Sequence, residues 1–571
     1  MKMDWSQNNN KSIIIIILLT IIVTILFIDK PFHIDDIYVI SMAQQLSEEP
    51  LDPYGFKIDS LNKRVSALWY PDPPLVPYYT SIIISFFGKN EKIIHFGFIL
   101  FPLLASITMF FFSKRFVKIP FLTTLLMIST PIFIVSSHSI MQDLPLLSLL
   151  LLAILLHVKG VDENKPKLLV LASIVAGFTF ITKYNGVILI FLMMLYSVLN
   201  QKYKSLKYLL ITAVIISSFF LHNLYYYGSI HFFHSLIPWL AGGKGISAGV
   251  IPMLKSTTIL LISNLSYIGG ATIFSIFLIW PFIKNKNHLK AFIAYSIITI
   301  ILTLILSIIS KNFISGQYTI FQLFLFYVFI TSGILIIHIF LLDNYKTINK
   351  LFKSLYGFKF GILSIKEKKI IFLIIWFVSV FIFNITFAGG SVRYNTILLP
   401  PLIILFVISL LRIKSIKNIS ILLWTIFIST LFLSLALGYA DYQYAGTYRQ
   451  ISILTDKPEY GQIFFLGHEG FKYYMENKGA IFLTSYTGKI KKGDTIIIAP
   501  LTSPGALSQP AKENLIKVGT RDFNTNFPFR TLNSEAHAGW YKYGAGFLPY
   551  SLSTASLEKF EIYTVKEDFE K

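Results

Sequence analysis

The sequence predicts a polytopic α-helical membrane protein of about 13 transmembrane helices, ending in a small extracytoplasmic α/β domain. Three observations predict it. Of the 571 residues, 54% are hydrophobic and only 14% are charged, and the mean hydropathy of +0.65 is far above that of a soluble globular chain. The apolar residues gather in runs of about 17 to 25, the length that crosses a bilayer as a helix. After residue 438 the runs shorten to strand length, and Asp, Glu and Gly spread between them.

Taken in order, the apolar runs place spans near 12–28, 93–112, 119–136, 143–158, 167–182, 184–200 and 207–222, then near 257–282, 290–310, 319–342, 369–387, 395–411 and 419–438. The first, Ser12 to Ile28, has the look of a signal-peptide core. It runs straight into Asp29-Lys30-Pro31-Phe32 with no small-residue cleavage site, so it reads as a retained anchor. Orientation follows from Lys and Arg in the loops. With a cytoplasmic N-terminus, inner segments hold 24 of these cations and outer loops before the tail hold 11, so this orientation is the one expected. The formal charge of +21 is then explained by topology. The lysines fall between apolar runs and build no basic face or RNA-binding motif, which argues against nucleic acid as a partner. With no cysteine, disulfide frameworks and thiolate metal sites are excluded.

This orientation puts three regions on the outer face of a cell membrane: the long loop 29–92, the loop 222–256, and everything from residue 439 onward. The first loop reads as two interfacial helices, near Asp36 to Leu46 and near Leu75 to Phe87, separated by the turn-rich stretch Glu49-Pro50-Leu51-Asp52-Pro53-Tyr54-Gly55. In the tail, 462–466, 495–499 and 560–565 have strand character and Glu469 to Asn477 has helix character. The expected division is a transmembrane domain over 1–438 and an extracytoplasmic α/β domain over 439–571.

Chemistry-bearing residues concentrate at the outer ends of the spans. Asp35 and Asp36 follow the first span directly, where an acid must face water, a headgroup, a metal or a substrate; both also fit a cap on the helix that follows. Ser136-Ser137-His138-Ser139-Ile140-Met141-Gln142-Asp143-Leu144-Pro145 brings His138 and Asp143 to the same face, where Asp143 equally suits the first turn of the fourth span. Asp72 sits in the Pro-rich turn Trp69-Tyr70-Pro71-Asp72-Pro73-Pro74-Leu75. Lys183, in Thr182-Lys183-Tyr184-Asn185-Gly186, and Arg393, in Gly389-Gly390-Ser391-Val392-Arg393-Tyr394-Asn395, are isolated cations between spans joined by almost no loop. Each can be a snorkelling side chain or a phosphate clamp, for which the planar Arg fork is well suited. His231 and His234, three apart, are a weak metal pattern inside an aromatic belt.

In order and side, these motifs resemble the C-type membrane glycosyltransferases, and within them glycosyltransferase family 39 with the protein O-mannosyltransferases and lipid A aminoarabinose transferases. The resemblance covers residues 12 to 411. It rests on the acidic pair after a retained span, the Xaa-Pro-Pro-Leu turn, Gln142-Asp143-Leu144-Pro145, Lys183-Tyr184-Asn185-Gly186 and Arg393-Tyr394. It departs from the family's usual Asp-Glu at Asp35-Asp36, and from its usual His or Lys before Pro-Pro at Asp72. What it implies is inverting transfer of a sugar from a polyprenyl-phosphate donor to a lipid, glycan or protein acceptor on the outer face. In that scheme an acid of the pair, by family pattern Asp35, is the general base, and Asp143 orients the acceptor or shares a metal. Arg393 and Lys183 receive the lipid phosphate, with Asp72, His138 and Tyr394 lining the substrate site. No cofactor is implied with certainty; the acids leave room for a divalent cation.

Two other functions fit a chain of this kind. One is a transporter or flippase of lipid-linked sugars, although transporters concentrate ionisable residues near the bilayer midplane, and here the middles of the runs are nearly free of charge. The other is a surface-polysaccharide polymerase or ligase with a similar membrane layout.

Overall fold

The computed structural model describes all residues except 1–8, 61–62, 235–249, 278, 280–285, 314–316, 357–359, 387–389, 414–417, 457–460, 503, 506 and 571. Outside the described residues lie the middle of the loop 222–256, part of the expected span 257–282, Gly389, and the charge-count residues Lys2, Lys244, Lys284, Lys359, Lys414 and Lys417.

Most of the chain is helical. Among the described residues eight helices are long and apolar enough to cross a membrane, and a ninth span results if the bent pair Pro120–Ile128 and Pro131–Ser137 counts as one. The expected number was thirteen. Of the remaining four, three form at expected positions but run short: Asn9–Ile25 and Pro166–Thr182 have 17 residues each and Val187–Leu199 has 13, against about 20 for a full crossing. The fourth is the expected span 257–282, where helix Val250–Ala271 forms and part of the span lies outside the described residues. The bent pair turns by 61° because Pro131 lacks the N–H that would continue the helix. The side chain of Thr130 restarts it by accepting the Phe133 N–H. That bend delivers Ser137, His138 and Ser139 to the head of the Leu-rich helix Asp143–Asp162.

The first loop forms the two expected surface helices, Asp36–Glu48 and Leu75–Phe87. They pack on one another through Val39, Ile40, Ala43, Val76 and Ile84, with Phe32 and Ile140 in the same cluster. Between them lies an antiparallel hairpin, Lys57–Ser60 with Lys63–Ser66, in the register Lys57 opposite Ser66.

The last apolar helix, Ile419–Ile451, has 33 residues and is about 50 Å long, so it runs through the expected boundary at 438. The tail sheet starts at Ile463. Its five strands lie in the order 481–482, 463–466, 495–498, 558–565, 515–523. Ile463–Leu466 pairs in parallel with both its neighbours, and Glu558–Val565 is antiparallel to the strands beside it. Helix Glu469–Asn477 makes the crossover between the parallel pair 463–466 and 481–482. The central strands Ile463–Leu466 and Thr495–Ile498 are buried throughout, which is why both read as continuous apolar runs and not as alternating ones.

Tail and first loop are tied together. Lys30 and Asp441 form an ion pair of 2.5 Å with side chains 0% and 1% exposed. Tyr541 and Thr531 of the tail donate to the same carboxylate at 2.8 and 3.2 Å. The Phe32 N–H donates to Tyr474 Oη, Tyr474 donates to Glu91, and Lys472 pairs with Asp59.

Candidate functional site

Five short segments meet where the first loop, the heads of two spans and the tail converge. Asp35 is preceded by Ile34, whose φ of +50° is an outlier for a β-branched residue. It lies at the N-cap position of helix Asp36–Glu48 yet makes no capping hydrogen bond. Its carboxylate, 26% exposed, pairs instead with Nη2 of Arg393. Asp36 is entirely buried and does what a structural acid does. Oδ2 accepts the His33 N–H at 3.0 Å, and Oδ1 accepts Ser139 Oγ and the Ile140 N–H at 2.8 and 3.0 Å. It thereby clamps the first loop to the segment before Asp143. Burial pushes its carboxyl up to about 6, against the pull of Lys30 and of these donors.

Asp143, in the first turn of its helix, stands between two cations. Lys183 Nζ donates to Oδ1 at 2.7 Å, and Arg393 Nη1 is 3.7 Å from Oδ2. Lys183 follows the helix Pro166–Thr182 in extended conformation, and its ammonium lies 4.7 Å from the centre of the Tyr394 ring, with the Arg393 guanidinium 5.4 Å from the same ring. Tyr394 is therefore a shared cation–π platform. Asp72 accepts from Tyr70 Oη at 3.2 Å. Its burial raises its affinity for a proton, opposed by Lys183 and reinforced by Asp143, which places it at the edge of the same array.

His138 is directed elsewhere. Its Nε2–H donates to the Val23 carbonyl of the first helix at 2.7 Å, and its ring meets Phe27 edge-on. His231 uses both ring nitrogens to hold the first loop: Nδ1 lies at hydrogen-bond distance from Tyr54 and Tyr184 hydroxyls, and Nε2–H donates to the Tyr70 carbonyl. Among the described residues no three His, Asp or Glu side chains are grouped to hold a metal ion.

The tail contributes residues that sequence reading did not assign. The Trp540 carbonyl accepts the Val392 N–H at 2.8 Å and Ser391 Oγ at 3.0 Å, and the Tyr543 N–H donates to Gly390. The segment carrying Arg393 is therefore pinned by the tail. Trp540 and Tyr541 line a small cavity with Ser139, Met141, Asp143 and Arg393. Glu469, at the start of the crossover helix, interacts electrostatically with Asp35 and Arg393. The only local signal was an acid between glycines in Gly467-His468-Glu469-Gly470, at a strand-to-helix joint. The array as a whole offers a partly exposed carboxylate on a buried guanidinium, with a buried ammonium held by the same Asp143, the combination needed to deprotonate a hydroxyl next to a phosphate.

Solved structures with a similar overall course include ArnT from Cupriavidus metallidurans bound to undecaprenyl phosphate, at 12% identity, covering 86% of this chain and 94% of that one with a TM-score of 0.42. The same protein in the apo state gives 12%, 85%, 92% and 0.39. No curated protein matches the sequence. Residues 71–226, from the Pro-rich turn through the aromatic belt, match the family model described as Dolichyl-phosphate-mannose-protein mannosyltransferase. Over that stretch the resemblance to the family 39 membrane glycosyltransferases, read above from the motifs, is shown.

Proposed function

We propose that this protein transfers a sugar from a polyprenyl-phosphate donor to a hydroxyl of a lipid, glycan or protein acceptor at the outer face of the membrane, with inversion at the anomeric carbon. One observation carries the reading: the Asp35 carboxylate lies against Arg393, and Arg393 and Lys183 converge on Asp143. Asp35 takes the acceptor proton. The freed oxygen attacks the anomeric carbon, and the bond from that carbon to the phosphate oxygen breaks with its electron pair going to the phosphate. Arg393 and Lys183 neutralise the charge that develops there. Asp143 holds the two cations in place, and Tyr394 backs them. Asp72 belongs to the wall, and His138, directed away from the site, fixes the segment 138–143 to the first span. The family model's lipid-phosphate-sugar description agrees with a donor of this class. The domain layout that goes with the proposal is a transferase over 1–438, with its site completed by loop 29–92, and a tail over 439–571 lying on the outer side.

The test is made on the purified full chain in proteoliposomes. Undecaprenyl-phosphate mannose is supplied as donor and an envelope extract as acceptor, and released undecaprenyl phosphate is measured. Release that depends on Asp35 and Arg393 is expected. If undecaprenyl phosphate neither binds nor is released, the proposal fails.

A further inference from the structure

Glu469 is set into the site at the expense of local backbone comfort. It has φ of +62° although it is not glycine, a region that L-residues enter only when their surroundings enforce it. The enforcement is visible on both sides. Gly467 before it has φ of +145°, and Gly470 after it is packed so closely that a Cβ there would lie 2.2 Å from the Phe32 carbonyl oxygen. The first turn of helix Glu469–Asn477 is thereby pressed onto the backbone three residues ahead of Asp35. The Phe32 N–H bonded to Tyr474 Oη locks the contact one turn further on.

The side chain so placed is only 15% exposed. Oε1 lies 3.8 Å from Lys542 Nζ, and Oε2 is buried with no hydrogen-bond partner. Its charged surroundings are Asp35, Arg393 and Lys542, with Tyr38, Tyr444, Tyr448 and Glu558 also within electrostatic reach. Buried carboxylate oxygens are almost always satisfied. Asp35 and Arg393, the groups between which a sugar must pass in the proposed reaction, are among the charged neighbours of Glu469. Lys542 belongs to the tail segment that pins Arg393, so one side chain of the tail steadies another across the site.

We propose that Glu469, supplied by the tail, contacts a hydroxyl of the sugar donor or of the acceptor in the Asp35–Arg393 site, with Lys542 as its positioning residue. The inference rests on the glycosyl-transfer reading. It adds a substrate contact from a region that the family resemblance does not reach.

Glu469→Gly tests it, because glycine relieves the backbone strain while deleting the contact. For a substrate-binding residue the melting temperature of the purified full chain is expected to hold or rise. Binding of undecaprenyl phosphate, which carries no sugar, is expected to stay unchanged. Release of undecaprenyl phosphate from undecaprenyl-phosphate mannose is expected to fall about 10- to 100-fold, the range for a hydrogen bond to a charged group. Glu469→Gln, which keeps an acceptor oxygen, should recover part of that loss. If the hydroxyl is on the donor sugar, hydrolysis of the donor without acceptor falls as well; if it is on the acceptor, hydrolysis is unchanged and only transfer falls. A lower melting temperature, weaker binding of undecaprenyl phosphate, or unchanged turnover in the glycine variant overturns the proposal. If the unaltered chain neither binds undecaprenyl phosphate nor turns over the donor, the glycosyl-transfer reading itself falls, and this contact with it.

Discussion

Replacing each acid of the pair Asp35-Asp36 by asparagine separates a catalytic carboxylate from a structural one, because the two side chains have different work in the structure. Asp36 accepts three hydrogen bonds in a fully buried position. An asparagine there can keep Ser139 and Ile140 on its oxygen, but its amide nitrogen then meets the His33 N–H, donor against donor. The lost bond to a charged acceptor is worth about 1.5–3 kcal/mol. Asp36→Asn should therefore lower the melting temperature by a few degrees. Asp35 caps nothing, and its ion pair with Arg393 is partly solvent-screened, so Asp35→Asn should change stability by less than about 1 kcal/mol. Its effect on rate is another matter: an amide cannot take the acceptor proton, and loss of a general base costs about 100- to 10,000-fold, or roughly 3–5.5 kcal/mol of barrier. The assay is donor turnover in proteoliposomes with thermal unfolding of the same preparations. Turnover by Asp35→Asn within threefold of the unaltered chain refutes the base assignment. A turnover loss confined to Asp36→Asn, with stability intact, would move the role to Asp36.

Arg393→Lys replaces a planar fork that reaches Asp35 and Asp143 together by a point charge; undecaprenyl phosphate should bind about 10-fold more weakly, as read by titration in detergent. Removing one partner of the buried pair Lys30–Asp441, as in Lys30→Met, should destabilise by about 3–5 kcal/mol, and the double variant Lys30→Met/Asp441→Leu should recover much of it in a thermal double-mutant cycle. Burial pushes the Glu558 carboxyl up to about 8, so the folded chain holds a proton that the unfolded chain releases above about 4.5. Its contribution is therefore fully present below the unfolded value and is lost as pH rises toward 8. Glu558→Gln should match the unaltered chain near pH 5 and exceed its melting temperature near pH 8. A reporter active only in the cytoplasm, fused after Val565, should stay silent, since the tail packs on loop 29–92 and the cation bias assigns that loop to the outside.

The helices were legible because run length and polarity at the ends are written locally. The surface helices at 36–48 and 75–87 and the tail strands at 463–466 and 495–498 also appear where the pattern puts them. Two things were not local. The helix Ile419–Ile451 passes residue 438, where the apolar run stops, because Asp441, Tyr444 and Tyr448 bury their polar groups against the tail and against Lys30 instead of in lipid. The hairpin at 57–66 was read as loop because only four residues on each side pair. At the site, Asp35, Asp143, Lys183 and Arg393 were marked by being charged at span ends, Asp72 by its Pro-rich turn, and Tyr394 by the family resemblance. The division of labour between Asp35 and Asp36 could not be read, since caps and bases use the same side chain. Glu469 was silent for a different reason: what gives it meaning is the backbone of Phe32, far away in the chain.

On the proposed reading, the arrangement of the ion pairs explains why the base is Asp35 and not Asp143. A guanidinium and an ammonium as buried as Arg393 and Lys183 need a counter-charge that does not leave, since an uncompensated buried cation is strongly destabilising. Asp143 supplies it to both, from a side chain only 5% exposed. A carboxylate committed in this way is not free to turn to an acceptor hydroxyl, because turning away would strand two cations at once. Asp35 is more open to solvent, is bonded to Arg393 alone among these cations, and stands on the strained turn at Ile34. When Arg393 turns its fork to a phosphate, Asp35 is released next to the sugar while Asp143 keeps Lys183 and Arg393 in register. One acid thus anchors the cations permanently and the other exchanges with the substrate phosphate, so delivery of the leaving group and release of the base become a single event.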